Sequence, residues 1–206
     1  MTSFRLEPFL WIHLSGLGLL PLLFQGVWLG LAVGDPLPML GLEPLLVGTL
    51  GILPILWMQW HRPFDIFSLV LFAVRTEALT AQQRQILALF KTGKQRAIAL
   101  VGALVMFVLF WQVYRFAPLA SPAAAFFTPG ASLGIAGGAI AFLGCNLFWQ
   151  VPLSVLGVLA TGKQQWEATE AYPVEQIERE FTVPGLRVRR LLPTLVSEPT
   201  EREREG

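Results

Sequence analysis

Long uncharged stretches separated by short charged ones fill the chain up to Gly162, after which the pattern inverts into a charged segment with scattered apolar positions. A helix needs roughly 20 apolar residues to cross a hydrocarbon layer, and four runs have that character. The first covers residues 9–33 without Asp, Glu, Lys or Arg. It exceeds the apolar core of a cleavable signal peptide and has only Arg5 as a basic leader, so it reads as a retained span. The second, 44–60, follows the turn Gly34-Asp35-Pro36, and the third, 97–114, lies between Arg96 and Arg115. The fourth falls within 116–162, where Pro118, Pro122 and Pro129 break up the first part. It is placed at 131–160, with a kink or exit expected near Pro152.

Two apolar pieces are too short to cross. Residues 66–74, behind Asp65, read as interfacial or protein-packed, with a re-entrant passage as the alternative. Thr80-Ala81-Gln82-Gln83 has the form of a capping box opening a short helix, with Ile86, Leu87 and Phe90 on one face, either on the membrane surface or as a loop helix away from lipid. The segment 61–96 is thus expected to be interfacial. Beyond Gly162, Val174, Ile177 and Phe181 recur at helical spacing among Glu175, Glu178, Arg179 and Glu180, and Pro184-Gly185 signals a turn. Residues 198–206 alternate charge without an apolar anchor and are expected to be disordered. The architecture predicted is an all-α integral membrane protein. A transmembrane domain, 1–162, is a four-helix bundle with short interfacial helices, and a charged, partly disordered tail, 163–206, is low-complexity from 198.

Basic residues orient this arrangement. With four spans, 14 of the 15 Lys and Arg residues fall on one side, together with both termini, and only Arg115 falls on the other. Lys and Arg near spans are retained in the cytoplasm, so N-terminus and tail are expected there. Trp11, Trp57 and Trp60 then mark one interface, Trp28 and Trp111 the other. Composition agrees: 54% of residues are hydrophobic and 14% charged, against about a quarter charged in soluble domains. A net charge of +1 gives no bulk attraction to nucleic acid, leaving membrane lipids and a larger membrane protein complex as partners. The single cysteine, Cys145, rules out an internal disulfide and a thiolate metal cage.

Several membrane-side segments carry a resemblance. Ser3-Phe4-Arg5, Glu7-Pro8-Phe9-Leu10-Trp11-Ile12-His13-Leu14, Trp28-Leu29-Gly30-Leu31-Ala32, Leu56-Trp57-Met58-Gln59, Arg62-Pro63-Phe64 and Ile66-Phe67-Ser68, in that order, resemble the cyanobacterial low-complexity tail membrane proteins. The likeness runs from Ser3 to about Arg96, and the Glu-Arg tail fits it. It implies a cyanobacterial source and a thylakoid or plasma membrane, and it transfers no activity and no site residues.

Chemistry inside a membrane needs ionisable or nucleophilic groups in a protected cavity. The sequence has no carboxylate pair inside a span, no His-x-x-x-His or Glu-x-x-His spacing and no phosphate loop, and its Gly-x-Ser-x-Gly match, Gly130-Ala131-Ser132-Leu133-Gly134, stands in a stretch, 116–162, with no histidine or acid. A familiar hydrolase, metalloprotease or nucleotide-driven pump is therefore not expected. His13 and His61 fall at one membrane face. A neutral imidazole there can ligate a metal or the magnesium of a chlorophyll, while the plainer role is an interfacial histidine bonded to backbone, carboxylate or water. No cofactor is required by the sequence; chlorophyll and lipid are the candidates.

The spans also hold Gln25, Gln59, Gln112, Asn146 and Gln150, amides that either hydrogen-bond across helices or line a path for a solute. Gly26, Gly30 and Gly34 repeat every four residues in the first span, as do Gly134 and Gly138 in the fourth with Gly137 alongside; such faces let helices approach closely. Arg187, Arg189 and Arg190 form a basic cluster that is either solvated or in contact with headgroups or a partner. Two functions follow: an accessory, stabilising or assembly component of a membrane complex, photosynthetic if the resemblance holds, or a small transporter or channel subunit.

Overall fold

Proline and glycine set where each membrane helix tightens, bends or stops. The computed structural model describes residues 3–33, 42–69, 72–124, 131–189 and 191. The first span, Pro8–Ala32, starts with a proline, whose missing N–H is no loss in a first helical turn. Its helix narrows to a 3-10 turn over Gly16–Leu19 before resuming at Leu20–Ala32. Pro21 explains this, because its ring crowds the carbonyl of Leu17 and offers no hydrogen bond to it. The second span is Leu42–His61. The third is α-helical over Gly93–Phe116 and stops two residues ahead of Pro118. A 3-10 turn, Ala117–Ala120, and a short helical turn, Ser121–Ala124, follow, with Ala117, Ala120 and Ala124 buried.

The fourth span, Ala131–Leu159, corrects the expectation of an exit at Pro152: the helix runs on through it. Val151, Val155 and Val158 are buried around the proline, and the third span supplies donors nearby, Gln95 Nε2 to the Ser154 carbonyl at 2.9 Å and Lys94 Nζ to the Gly157 carbonyl at 3.1 Å. These bonds tie the turn after the proline to the third span; the carbonyl that Pro152 itself leaves without a helical donor is that of Phe148, four residues earlier. This span is the centre of the bundle. It packs against each of the other three, and half of its membrane window is buried, against 17% and 28% for the others. Phe142 and Cys145 from the fourth span, Val27, Val47 and Ile52 from the first two, and Met106 and Phe110 from the third form its core.

At one end of the bundle the loop after the second span and the chain after the fourth fold together as a cap. Phe4, Ile66, Phe67, Ile86, Leu87, Phe90, Ile177 and Phe181 share a core with Phe9, Leu10, Val155 and Val158 at the ends of the first and fourth spans. The Thr80–Gln83 capping box is made in both directions and opens the helix Ala81–Phe90. Alongside lies Val174–Glu180, amphipathic as its spacing requires, with Ile177 inward. Gln85 bonds the Trp166 and Thr169 carbonyls, Arg62 bonds those of Glu178 and Phe181, and Lys91 pairs with Glu180 at 3.0 Å. The composition changes at Gly162, but the fold does not break there.

The cap also holds a small sheet that the sequence did not announce. β1, Ser68–Leu69, pairs antiparallel with β2, Phe72–Val74, and β2 pairs parallel with β3, Leu186–Val188. Ile66, Phe67, Ala73 and Val74 are thus packed against protein, while Phe72 is exposed. The expected disorder of 198–206 concerns residues outside those described.

Truncating Phe181, whose ring is wholly enclosed between loop and tail, should cost about 3–5 kcal/mol. Limited trypsin digestion of the detergent-solubilised protein should then cut Phe181→Ala, but not the wild type, around Arg179, while the spans remain intact.

Candidate functional site

Three arginines from two distant segments meet on the cap because β2 and β3 pair in parallel. The register sets Ala73 beside Arg187 and Val74 beside Val188, and the Arg75 N–H donates to the Val188 carbonyl at 2.9 Å. Side chains alternate along a strand, so Arg187 and Arg189 lie on one face of β3, and Arg75, one step past β2, joins them. Together with Glu77 and Ala78 they line an open cleft of about 1000 Å³. Arg187 is ion-paired to Glu178 on the Val174–Glu180 helix. Arg75 and Arg189 have no ion-pair partner among the described residues. The cleft can hold an anion or a carboxylate surface, with Glu77 as the one acid among its described lining residues. Arg190 lies outside the described residues. Arg75 could not be found from sequence, since nothing local links it to a segment more than a hundred residues on.

Beneath the sheet sits a buried acid. Asp65 is fully enclosed; its Oδ1 accepts the Phe67 N–H at 2.9 Å, and its Oδ2 has no partner among the described residues. The Asp65 N–H donates to the Thr182 carbonyl at 3.0 Å, so this acid is stitched to the tail. Burial pushes its carboxyl up to about 6 against the ordinary 3.8, despite the Phe67 bond. Glu180 moves the other way, lowered by its bonds from the Tyr172 hydroxyl and Lys91.

The histidines do not converge. His13 Nδ1 donates to the Phe9 carbonyl at 2.8 Å and its ring stands edge-on to Phe64. His61 Nδ1 donates to the Trp57 carbonyl at 3.1 Å beside the Trp57 ring. Each of these bonds is to the residue one turn back in the same helix. No group of three or more His, Cys, Asp and Glu side chains that could hold a metal ion occurs among the described residues.

The glycines and amides divide by which surface they face. A Cβ on Gly30 would stand 2.7 Å from the Gly134 carbonyl oxygen and from Gly138, and one on Gly134 would meet Val33 at 2.7 Å; Gly26 faces Ala141 at 3.3 Å. The first and fourth spans therefore cross at backbone distance. Gly137 faces open space, and Gly34 lies outside the described residues. Sequence spacing missed Gly51, over which the Phe142 ring lies, Gly102, which faces Leu153 and Trp149, and Gly157, which faces Ile98 and Gln95. These glycines admit large side chains instead of meeting other glycines.

The singled-out amides make no cross-helix hydrogen bond among the described residues. Asn146 donates within its own helix to the Phe142 carbonyl at 3.0 Å, and Gln150 is buried with neither amide atom partnered among the described residues. Cross-helix bonds come instead from Gln95, Lys94, Trp28 Nε1 and Trp149 Nε1, the last to the Gly102 carbonyl at 3.1 Å. Gln25 and Gln112 face outward.

A family model described as low-complexity tail membrane protein-like matches residues 6–193. No curated protein and no solved structure matches the chain. The match covers most of the chain, which belongs to that family and is an integral membrane protein with a four-helix bundle.

Two outcomes follow. Gly30→Ala should lower the thermal midpoint in detergent, by overpacking worth about 1–3 kcal/mol, whereas Gly137→Ala should not. For Asp65, a raised folded pKa means that the folded cap binds more protons than the unfolded chain. Stability then grows as pH falls through about 6 towards 3.8 and is lost as pH rises through about 6. The folded state should gain about 1.4 kcal/mol between about pH 7.5 and pH 5, read as a rise in the thermal midpoint, and Asp65→Asn should flatten that slope.

Proposed function

We propose that this member of the low-complexity tail membrane protein-like family is a non-catalytic accessory component that stabilises or helps assemble a larger membrane complex. The arginine-lined cleft carries the proposal. The strand register sets Arg75, Arg187 and Arg189 on one face, where Arg75 and Arg189 have no ion-pair partner among the described residues, and planar guanidinium forks recognise carboxylates in pairs. The partner is an acidic surface on another membrane protein. Arg5, Arg62, Arg84, Lys91 and Lys94 all bond backbone at the cap end of the spans, which supports a cytoplasmic cap. The resemblance in the membrane segments supports a cyanobacterial source, and with it a thylakoid or plasma membrane and a photosynthetic complex.

A transporter or channel subunit is the second reading, favoured by one observation. Asn146, Gln150 and Ser154 form a buried polar row, four residues apart, along the central span. The row ends at Phe142, stacked on Phe110 with ring centroids 4.6 Å apart, and beyond it the Gly30–Gly138 contact closes the first span on the fourth.

Purification in mild detergent, followed by identification of bound proteins, separates these readings. Arg75→Gln with Arg189→Gln should reduce co-purification of the partner at low salt by about tenfold, and raised salt should reproduce the loss in the wild type. Retention unchanged in the double variant and at high salt would remove the cleft from the account. A loss reversed by adding anionic lipid alone would make the occupant a headgroup.

A further inference from the structure

Two of the span amides point out of the bundle into a groove that the accessory reading does not use. Gln25 in the first span and Gln112 in the third both line it, with Pro21, Phe24, Trp28 and Phe116 as walls, and its volume is about 420 Å³. Trp28 Nε1 donates to the Phe116 carbonyl at 2.8 Å, which ties the two spans together at the groove. Both amides are exposed, and neither has a hydrogen-bond partner among the described residues. An unanswered amide facing hydrocarbon is costly. Gln25 lies seven residues before the end of its helix at Ala32 and Gln112 four before Phe116, about 10 Å and 6 Å along their axes. That depth puts both amides within reach of the layer where glycerol esters lie, on the side away from the cap.

We propose that this groove binds a diacyl lipid, with the Gln25 and Gln112 Nε2–H groups donating to its ester carbonyls and the aromatic walls packing along its acyl chains. A concave space of this volume is the size of a ligand segment. A transmembrane helix has its backbone groups already satisfied and would answer the amides only with polar side chains of its own.

Ester and ether lipids separate the carbonyl from the apolar contacts. The full chain, stripped in detergent, is offered dioleoyl phosphatidylcholine and its dialkyl ether analogue, and lipid retention is read by native mass spectrometry. Wild type should retain the ester lipid roughly fivefold better, the factor expected for one such hydrogen bond in lipid. Gln25→Leu with Gln112→Leu should abolish the preference, and unchanged thermal midpoints would show that the fold is kept. Equal retention of the two lipids by wild type, or a preference that survives in the double variant, would overturn the assignment. So would a dimer whose formation requires the two glutamines, since a second copy would then fill the groove.

Discussion

The approach of the first and fourth spans at Gly30, Gly134 and Gly138 is the contact on which the rest of the molecule depends. Lipid tails are as apolar as leucine, so helices in a bilayer associate through packing and hydrogen bonds and gain little from apolar burial alone. Backbones brought together across glycine supply that packing. The last span can then sit in the middle of the bundle, where it touches the second span through Phe142 over Gly51 and the third through Phe142 on Phe110. Its burial follows from this position.

A central last span also fixes where the remaining chain goes. It leaves the bundle at Leu159 beside the beginning of the first span, where Arg5 bonds the Thr161 carbonyl at 3.0 Å and the Phe4 ring stacks on Trp166 at 4.2 Å. The tail is thereby delivered onto the loop between the second and third spans. Phe181 fills the core there, β3 adds to β2, and three arginines separated in sequence share one cleft. Charge that looked like a solvated tail is held in a defined arrangement by buried apolar residues beneath it.

How much of this was legible depended on the distance over which each signal acts. Runs of about 20 apolar residues are set by bilayer thickness, and all four spans lay within a few residues of their expected limits. The third is the exception at its far end, where short turns continue to Ala124. The capping box at Thr80 and the amphipathic helix around Ile177 rest on spacings within two turns and were readable for that reason. The sheet was not readable. Its strands are two or three residues long, too short for a period-two pattern, and β3 pairs with a segment more than a hundred residues away. Of the candidate cleft, sequence supplied Arg187 and Arg189 and could not supply Arg75. Glycine spacing pointed to Gly30 and Gly134, whereas Gly51 and Gly102 accommodate a phenylalanine and a leucine, for which no spacing rule exists.

The central claim is that the fourth span carries the tail onto the loop, so that both form one cap. Cysteines at Ala73 and Arg187, neighbours in the β2–β3 register, test it most directly in a Cys145→Ser background. Mild oxidation in intact membranes should join them within a single chain, while cysteines at Ala73 and Glu175 should remain separate. Free thiols at both Ala73 and Arg187 under conditions that oxidise an accessible control pair would contradict it.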